Sequence, residues 1–109
     1  MLVMYRKLGE GLLLGDAYQL ELLGVRRGSA QLLIKGLNED ARRCLPATDK
    51  SGRMWCREGE FVELGNGISI SARLIRRGGT RFGVVAPESI RISRLDGAET
   101  DNGLKVATA

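Results

Sequence analysis

The sequence repeats itself at a distance of fifty residues, and this repeat restricts the possible folds more than any other feature of the chain. The two halves align without a gap, and the pairs they share are Met4 with Met54, Gly9-Glu10 with Gly59-Glu60, Leu14-Gly15 with Leu64-Gly65, and Arg26-Arg27-Gly28 with Arg76-Arg77-Gly78. Most of the shared glycines stand where a strand-like pattern stops and the backbone needs a turn. We therefore interpret the chain as a tandem repeat. Its parts are repeat one, 1–45, a linker, 46–52, repeat two, 53–96, and a flexible tail, 97–109.

Each repeat has the alternation of half-buried β-strands. Apolar and polar residues alternate in "YQLELLGV", and "ISISARLI" has the same pattern at the equivalent place in the second half. The turns "RRGS" and "RRGG" follow these segments and favour hairpins. A further alternating run, "SIRISR", ends the second repeat. Because no segment has a convincing helical stripe, the sequence predicts an all-β fold with little or no helix.

The size of each repeat predicts that the two halves share one core. A unit of about fifty residues without disulfides or metal buries too little surface to be stable alone. If the terminal strands of each half complete a sheet begun by the other, exposed edges disappear and the apolar faces stack. We therefore expect one pseudo-dimeric antiparallel β-sandwich or barrel within a single, monomeric chain, since the linker makes the association intramolecular.

Composition narrows the class of protein. The chain has 109 residues, 43% of them hydrophobic, which is enough for a packed core. It lacks histidine, and its two cysteines lack paired spacing, so zinc-site patterns and His-based catalytic triads are missing. No apolar run is long enough for a membrane span or a secretory signal, which favours the cytoplasm. Lys plus Arg (17) exceeds Asp plus Glu (13), a balance that suits a polyanionic partner. We expect no enzymatic activity, no metal and no cofactor.

The two ends of the repeated region resemble a known family. "MLVMYRKLGEGLLLGDAYQLELLGV" resembles the start of the carbon storage regulator (CsrA/RsmA) family, and "RRGGTRFGVVAPESIRISR" resembles its end. The likeness covers residues 1–96, half from each copy. Members are small homodimers whose five-stranded subunits exchange their first and last strands, and they bind messenger RNA at GGA motifs. The resemblance implies a dimer fused head to tail that regulates translation by binding mRNA or small RNA.

The resemblance also implies one competent RNA site, built from the first strand of repeat one and the last strand of repeat two. Its expected residues are Met4, Arg6, Lys7, Ala86, Pro87, Glu88, Ile90, Ile92, Ser93 and Arg94. Guanine offers two acceptors, N7 and O6, that an arginine fork can take in an unpaired loop. We expect Arg6 and Arg94 to contact RNA in this way and Lys7 to contact phosphate. The corner before the last strand would present backbone groups to the bases.

The equivalent site at the other end of the molecule departs from the family pattern. It would combine the first strand of repeat two with the last strand of repeat one. Cys56 stands in the position of Arg6, Cys44 in that of Arg94, and Asp40 in that of Ile90. Both guanidinium groups are lost there and an anion is added, which repels phosphate. We therefore expect one RNA per chain, with the two cysteines on adjacent strands of a degenerate site.

Other interpretations of these residues stay open at the level of sequence. Arg6 and Arg94 can be solvated strand arginines, and Met4, Ile90 and Ile92 can be core, because alternation does not tell which face is inward. The two RRG turns can be solvated hairpin tips. The rival functions are a protein-interaction module that has lost RNA binding and binds or antagonises carbon storage regulators, and a β-module with an unknown small ligand.

Overall fold

The computed structural model describes residues 1–46 and 48–95, and the backbone of residues 106–108. In chain order the elements are β1 (Leu2–Lys7), β2 (Gly11–Leu14), β3 (Tyr18–Arg26), β4 (Ser29–Gly36), α1 (Glu39–Arg43), β5 (Arg53–Arg57), β6 (Phe61–Glu63), β7 (Ser69–Arg76), β8 (Gly79–Val85), β9 (Ile92–Leu95) and β10 (Val106–Thr108). The all-β prediction is confirmed, with one five-residue helix in the described part of the chain.

The strands form two antiparallel sheets, and each sheet combines strands from both halves of the sequence. One has the order β1-β8-β7-β6, and the other has the order β10-β9-β2-β3-β4-β5. The first strand of the first half pairs with β8, and the first strand of the second half pairs with β4. Strand β9 crosses to pair with β2. The sheets stay separate, so the barrel closure that we allowed as an alternative does not form.

Both sheets contribute to one buried core. Their inward faces come from the alternating residues of the long strands, as the periodicity predicted. The largest completely buried side chains are Tyr18, Phe82, Leu12, Leu14, Leu20, Leu22, Leu32, Ile34, Ile68, Ile70 and Val84. Burying one such side chain stabilises the fold by about 1.5–3 kcal/mol. Since this cluster draws on both halves, neither half has a core of its own.

The turn after the first strand of each half has the same construction. Gly9 and Gly59 have φ values of +85° and +88°, a left-handed conformation that glycine adopts without strain. A glutamate follows each glycine and closes the turn by accepting a backbone hydrogen bond, from Lys7 N to Glu10 Oε1 at 2.8 Å and from Arg57 N to Glu60 Oε1 at 3.1 Å. The aligned Gly-Glu pairs of the sequence are thus structural turns.

The first half ends differently from the second. Where repeat two has β9, repeat one has the helix α1, so the expectation of a last strand at this place is wrong. The side chain of Asn38 caps the helix by accepting a hydrogen bond from Ala41 N at 2.8 Å. Acidic residues occupy the first turn and basic residues the last, which complements the helix dipole. Only Ala41 is buried, so the segment shows no apolar stripe in the sequence.

The linker and the tail also make defined contacts. The Asp49 carboxylate accepts hydrogen bonds from Ser51 and from Arg53 N, and these bonds lower its pKa. Residues 48–52 therefore form an ordered turn, whereas Ala47 lies outside the described residues. Of the predicted flexible tail, 97–105 and 109 also lie outside the described residues, and β10 pairs with β9 with Ala107 opposite Arg94.

Candidate nucleic-acid interface

The two strands predicted to form the site lie close together in the fold. Strand β1 is an edge of the four-stranded sheet, and β9 pairs with β2 in the other sheet. The Gly9-Glu10 turn leads directly from β1 into β2. Arg6 Nη1 lies 3.4 Å from the carbonyl oxygen of Gly11, and Gly11 stands opposite Leu95 of β9. The ends of β1 and β9 therefore meet at the start of β2.

Arg6 is buried within this junction. Only 7% of the residue is exposed. Its Nε donates to the carbonyl oxygen of Tyr5 at 2.9 Å, its Nη1 donates to that of Gly11, and its Nη2 lies 3.4 Å from Glu10 Oε1. A buried charge is tolerated when it is paired and hydrogen-bonded in this way. Arg6 thus ties β1 to the following turn, and its guanidinium is not presented at the surface.

Met4 has the same orientation as Arg6. It is 5% exposed and belongs to the core, which confirms the alternative interpretation of this residue as a core side chain. The outward face of β1 consequently carries Val3, Tyr5 and Lys7, all of them exposed. Of the three residues that were expected on β1, only Lys7 is open to a ligand.

Strand β9 presents its predicted arginine to solvent. Arg94 is exposed and stands opposite Leu12, while Ile92 on the same face is half-buried. Ser93 and Leu95 alternate with them and stand opposite Leu13 and Gly11, on the other face of the sheet, where they are 7% and 6% exposed. Ser93 is therefore not accessible as a ligand contact.

The corner before β9 is held in place by two glycine turns. Pro87 is exposed, and its ring packs against Gly67, which has φ +74°. The carbonyl oxygen of Pro87 accepts a hydrogen bond from Ile90 N at 3.0 Å. Ile90 is half-buried and packs on Gly15, which has φ +60°. Ala86 is half-buried and Glu88 is exposed, so the corner presents Pro87 and Glu88 to solvent before β9 begins.

The surface around β1 includes apolar residues that the sequence did not predict. The exposed side chains here are Met1, Leu2, Val3, Tyr5, Leu8 and Val85. Tyr5 stands opposite Arg81 on β8, and both point outward. An aromatic ring beside a guanidinium on an open sheet face is a suitable platform for a stacked base. The alternation of β1 was visible in the sequence, but the face that points outward was not.

The equivalent position in the other half carries a thiol in place of the guanidinium. Cys56 takes the place of Arg6 and is buried, and this burial raises the pKa of its thiol. Cys44 is exposed and caps the C-terminal end of α1. Both thiols are free, and the prediction that they lie on adjacent strands is wrong because Cys44 follows a helix. The aligned glycines Gly65 and Gly15 also have different partners. Gly65 N donates to the hydroxyl of Tyr18 at 2.8 Å, whereas Gly15 N donates to the carbonyl oxygen of Arg91, just before β9.

Comparisons of the chain with family models, with curated proteins and with solved structures found no match. The one helix in the described ranges has five residues, far fewer than are needed to cross a membrane.

Proposed function

We propose that this protein is a non-enzymatic RNA-binding regulator of translation that recognises GGA motifs in mRNA or small RNA. Its two repeats would form a pseudo-dimer related to the carbon storage regulators, with one competent site per chain. The observation that most supports this proposal is the pairing of β1 with β8 and of β9 with β2. With the contact of Arg6 and Gly11, these pairings bring the ends of β1 and β9 close together, which a site shared by the two strands requires.

The exposed groups of β1 and β9 have the chemistry that a single-stranded RNA requires. Arg94 offers an unburied guanidinium that can take N7 and O6 of one guanine. Lys7 supplies a charge for phosphate, and Tyr5 supplies a ring for stacking. Arg6 supports the site from below by holding the β1 turn rather than by touching RNA.

The asymmetry of the molecule supports a single site. The expected second site needs a last strand in repeat one, and helix α1 occupies that part of the chain. It also lacks both arginines, because cysteines stand in their positions. Cys56 is buried, and Cys44 lies at the C-terminal end of the helix. A ligand that needs the first strand of one half beside the last strand of the other therefore has one candidate place in the described residues, the β1–β9 junction.

RNA titration tests the proposal. A hairpin with GGA in its loop is expected to bind with a stoichiometry of one per chain at defined salt. Arg94→Ala should weaken binding by about 1–3 kcal/mol, because the fork to guanine is lost. The matched control is Arg57→Ala, which removes an exposed arginine from β5, the counterpart of β1 in the second half. Two equal sites, or an equal loss in both variants, would contradict the proposal.

A protein-binding role is the second candidate, and the edge of β6 favours it. In the described residues β6 has a strand on one side only. Leu64 N donates to the carbonyl oxygen of Ile68, on the β7 side of the strand. Because the N–H groups of a strand point alternately to its two sides, those of Phe61 and Glu63 point away from β7. Phe61 is 48% exposed beside this open edge. Such an edge can accept an added strand from a partner.

A pull-down separates the two functions. If a carbon storage regulator is retained on this protein after ribonuclease treatment, and if Glu63→Pro abolishes retention, the second function holds. If ribonuclease releases the bound protein, the contact goes through RNA and the first function is favoured.

A further inference from the structure

The two RRG hairpin tips, one from each half, come together at one end of the molecule. They enclose a cleft of about 370 Å³. We name it the arginine cleft, and its defining residues are Arg26, Arg27, Arg76, Arg77, Val25 and Ile75. Sequence alignment showed that both halves carry these arginines, but only the tertiary structure makes them neighbours.

Each tip is fixed by the first turn of the opposite half. Glu58 N donates to the carbonyl oxygen of Gly28 at 2.9 Å, and Leu8 N donates to that of Gly78 at 3.1 Å. The carboxylate of Glu58 also accepts a hydrogen bond from Ile75 N at 2.7 Å. These bonds hold the walls of the cleft in place, so its arginines are gathered by the fold rather than by chance side-chain positions.

Contacts orient two of the four guanidinium groups of the cleft. Arg26 lies over the ring of Trp55, 3.9 Å from its centroid, and Arg76 Nη1 donates to the carbonyl oxygen of Ile75 at 3.0 Å. None of the four arginines forms an ion pair with a carboxylate in the part of the chain that the structure describes. Four like charges around one cleft repel each other, and a bound anion relieves that repulsion.

We propose that the arginine cleft is an anion site that binds the phosphate groups of a nucleotide-sized ligand. The guanidinium fork matches phosphate geometry, and several forks around one opening favour a ligand with more than one phosphate. The volume lies within the range of about 300–1,000 Å³ that is usual for small-molecule sites. Val25 and Ile75 give the cleft an apolar part against which a base or sugar can pack. The phosphates come either from a free nucleotide or from RNA that also occupies the β1–β9 junction.

The only tryptophan of the chain reports on this cleft directly. Because Arg26 stacks on Trp55, an anion that draws Arg26 away should change the tryptophan fluorescence. Titration with tripolyphosphate at constant ionic strength is expected to give a saturable change with one ligand per chain. Arg27→Gln combined with Arg77→Gln should weaken binding at least about tenfold, since two charged contacts are lost. Neither substitution touches the fluorophore.

The matched control is Lys50→Gln combined with Arg53→Gln, which removes the same charge from exposed positions outside the cleft. It should change the affinity for tripolyphosphate by less than about twofold, through long-range screening alone. If both double variants lose the same affinity for tripolyphosphate, binding depends on net charge alone and the proposal is overturned. Absence of a saturable signal, or an unchanged affinity in the Arg27 and Arg77 double variant, would also overturn it.

A competition arm identifies the source of the phosphates. If tripolyphosphate displaces a GGA hairpin, and if the cleft variant weakens both ligands, the phosphates belong to RNA. If tripolyphosphate binds equally well to the free protein and to the RNA complex, the site takes a free phosphorylated ligand. Loss of RNA binding in Arg94→Ala bears on the proposed function alone, because the tripolyphosphate titration contains no RNA.

Discussion

At the scale of single residues, Arg6 and Arg94 illustrate how the same sequence signal leads to different roles. Both are strand arginines at positions that the family resemblance marks for RNA. Arg6 is buried and bonded to Gly11 and Glu10, whereas Arg94 is exposed. Burial assigns a structural role to the first, and exposure leaves the second available to a ligand.

Stability measurements should separate these two arginines. Arg6→Ala is expected to lower the free energy of unfolding by about 1–3 kcal/mol, because it leaves buried acceptors without their donor. Arg94→Ala should change it by less than about 0.5 kcal/mol, as is usual for an exposed position. Urea unfolding measures both values. A larger destabilisation by Arg94→Ala than by Arg6→Ala would contradict the assignment.

The two cysteines should differ in reactivity and in their effect on alkaline stability. Burial raises the pKa of Cys56, so in the native protein its thiol stays protonated where an exposed thiol ionises. This stabilisation is complete below the ordinary thiol pKa and is lost as the pH rises through the raised value. An alkylating reagent should therefore modify Cys44 rapidly and Cys56 only on unfolding.

The pH dependence provides a second measurement of the same effect. Cys56→Ala should flatten the decline in unfolding free energy at alkaline pH, because the variant lacks the buried thiol whose pKa is raised. Equal labelling rates for the two thiols in the folded protein would argue against the buried position of Cys56.

At the scale of elements, the aligned ends of the two halves fold differently. Residues after β4 form a helix because Asn38 caps it and its charges complement the dipole, whereas the corresponding run after β8 alternates Ile and polar residues and forms β9. The cap residue Asn38 is therefore expected to contribute more to the free energy of unfolding than its partial exposure suggests.

Asn38→Ala should cost about 0.5–2 kcal/mol of unfolding free energy, because the N–H of Ala41 loses its acceptor. Asn38→Asp is the matched control: it keeps an acceptor oxygen at the cap and loses only the long bond from Nδ2 to the carbonyl oxygen of Asp16 at 3.4 Å, so it should cost less than Asn38→Ala. Chemical denaturation of the two variants measures the difference. If both variants lose the same stability, the cap does not hold α1.

At the scale of the whole molecule, the two halves are interleaved. Strand β1 completes the sheet of the second half, and β5 and β9 complete the sheet of the first. The hydrophobic core contains side chains from both halves. Neither half therefore has a complete sheet or a complete hydrophobic face of its own.

The full chain should accordingly unfold in one cooperative transition that is seen equally by Trp55 fluorescence and by circular dichroism. Residues 1–50 alone should not fold as a monomer, since β1 and the outer edge of β4 would lose their partners. A folded monomeric half, identified by sedimentation and a cooperative melt, would rule out this interdependence.

The sequence by itself determined most of the strands, the hairpin turns and the class of fold, because these depend on local alternation and on glycine conformations. It also revealed that the halves correspond and that only one keeps the Ala-Pro corner. It did not determine which face of β1 points inward, since alternation is the same on both faces. The short helix α1 escaped detection because one buried alanine makes no stripe. The "NEDARR" segment nevertheless held the signals of a capped helix, with a cap residue, acids and then bases.

The tertiary structure decided which residues meet. Sheet pairing between the halves buried Met4 and Arg6, exposed Tyr5 and Lys7, and joined the two RRG tips into the arginine cleft. Such contacts join residues fifty or more positions apart, and no local pattern encodes them. They follow instead from the need of each incomplete sheet to cover its apolar face and to pair its open edge.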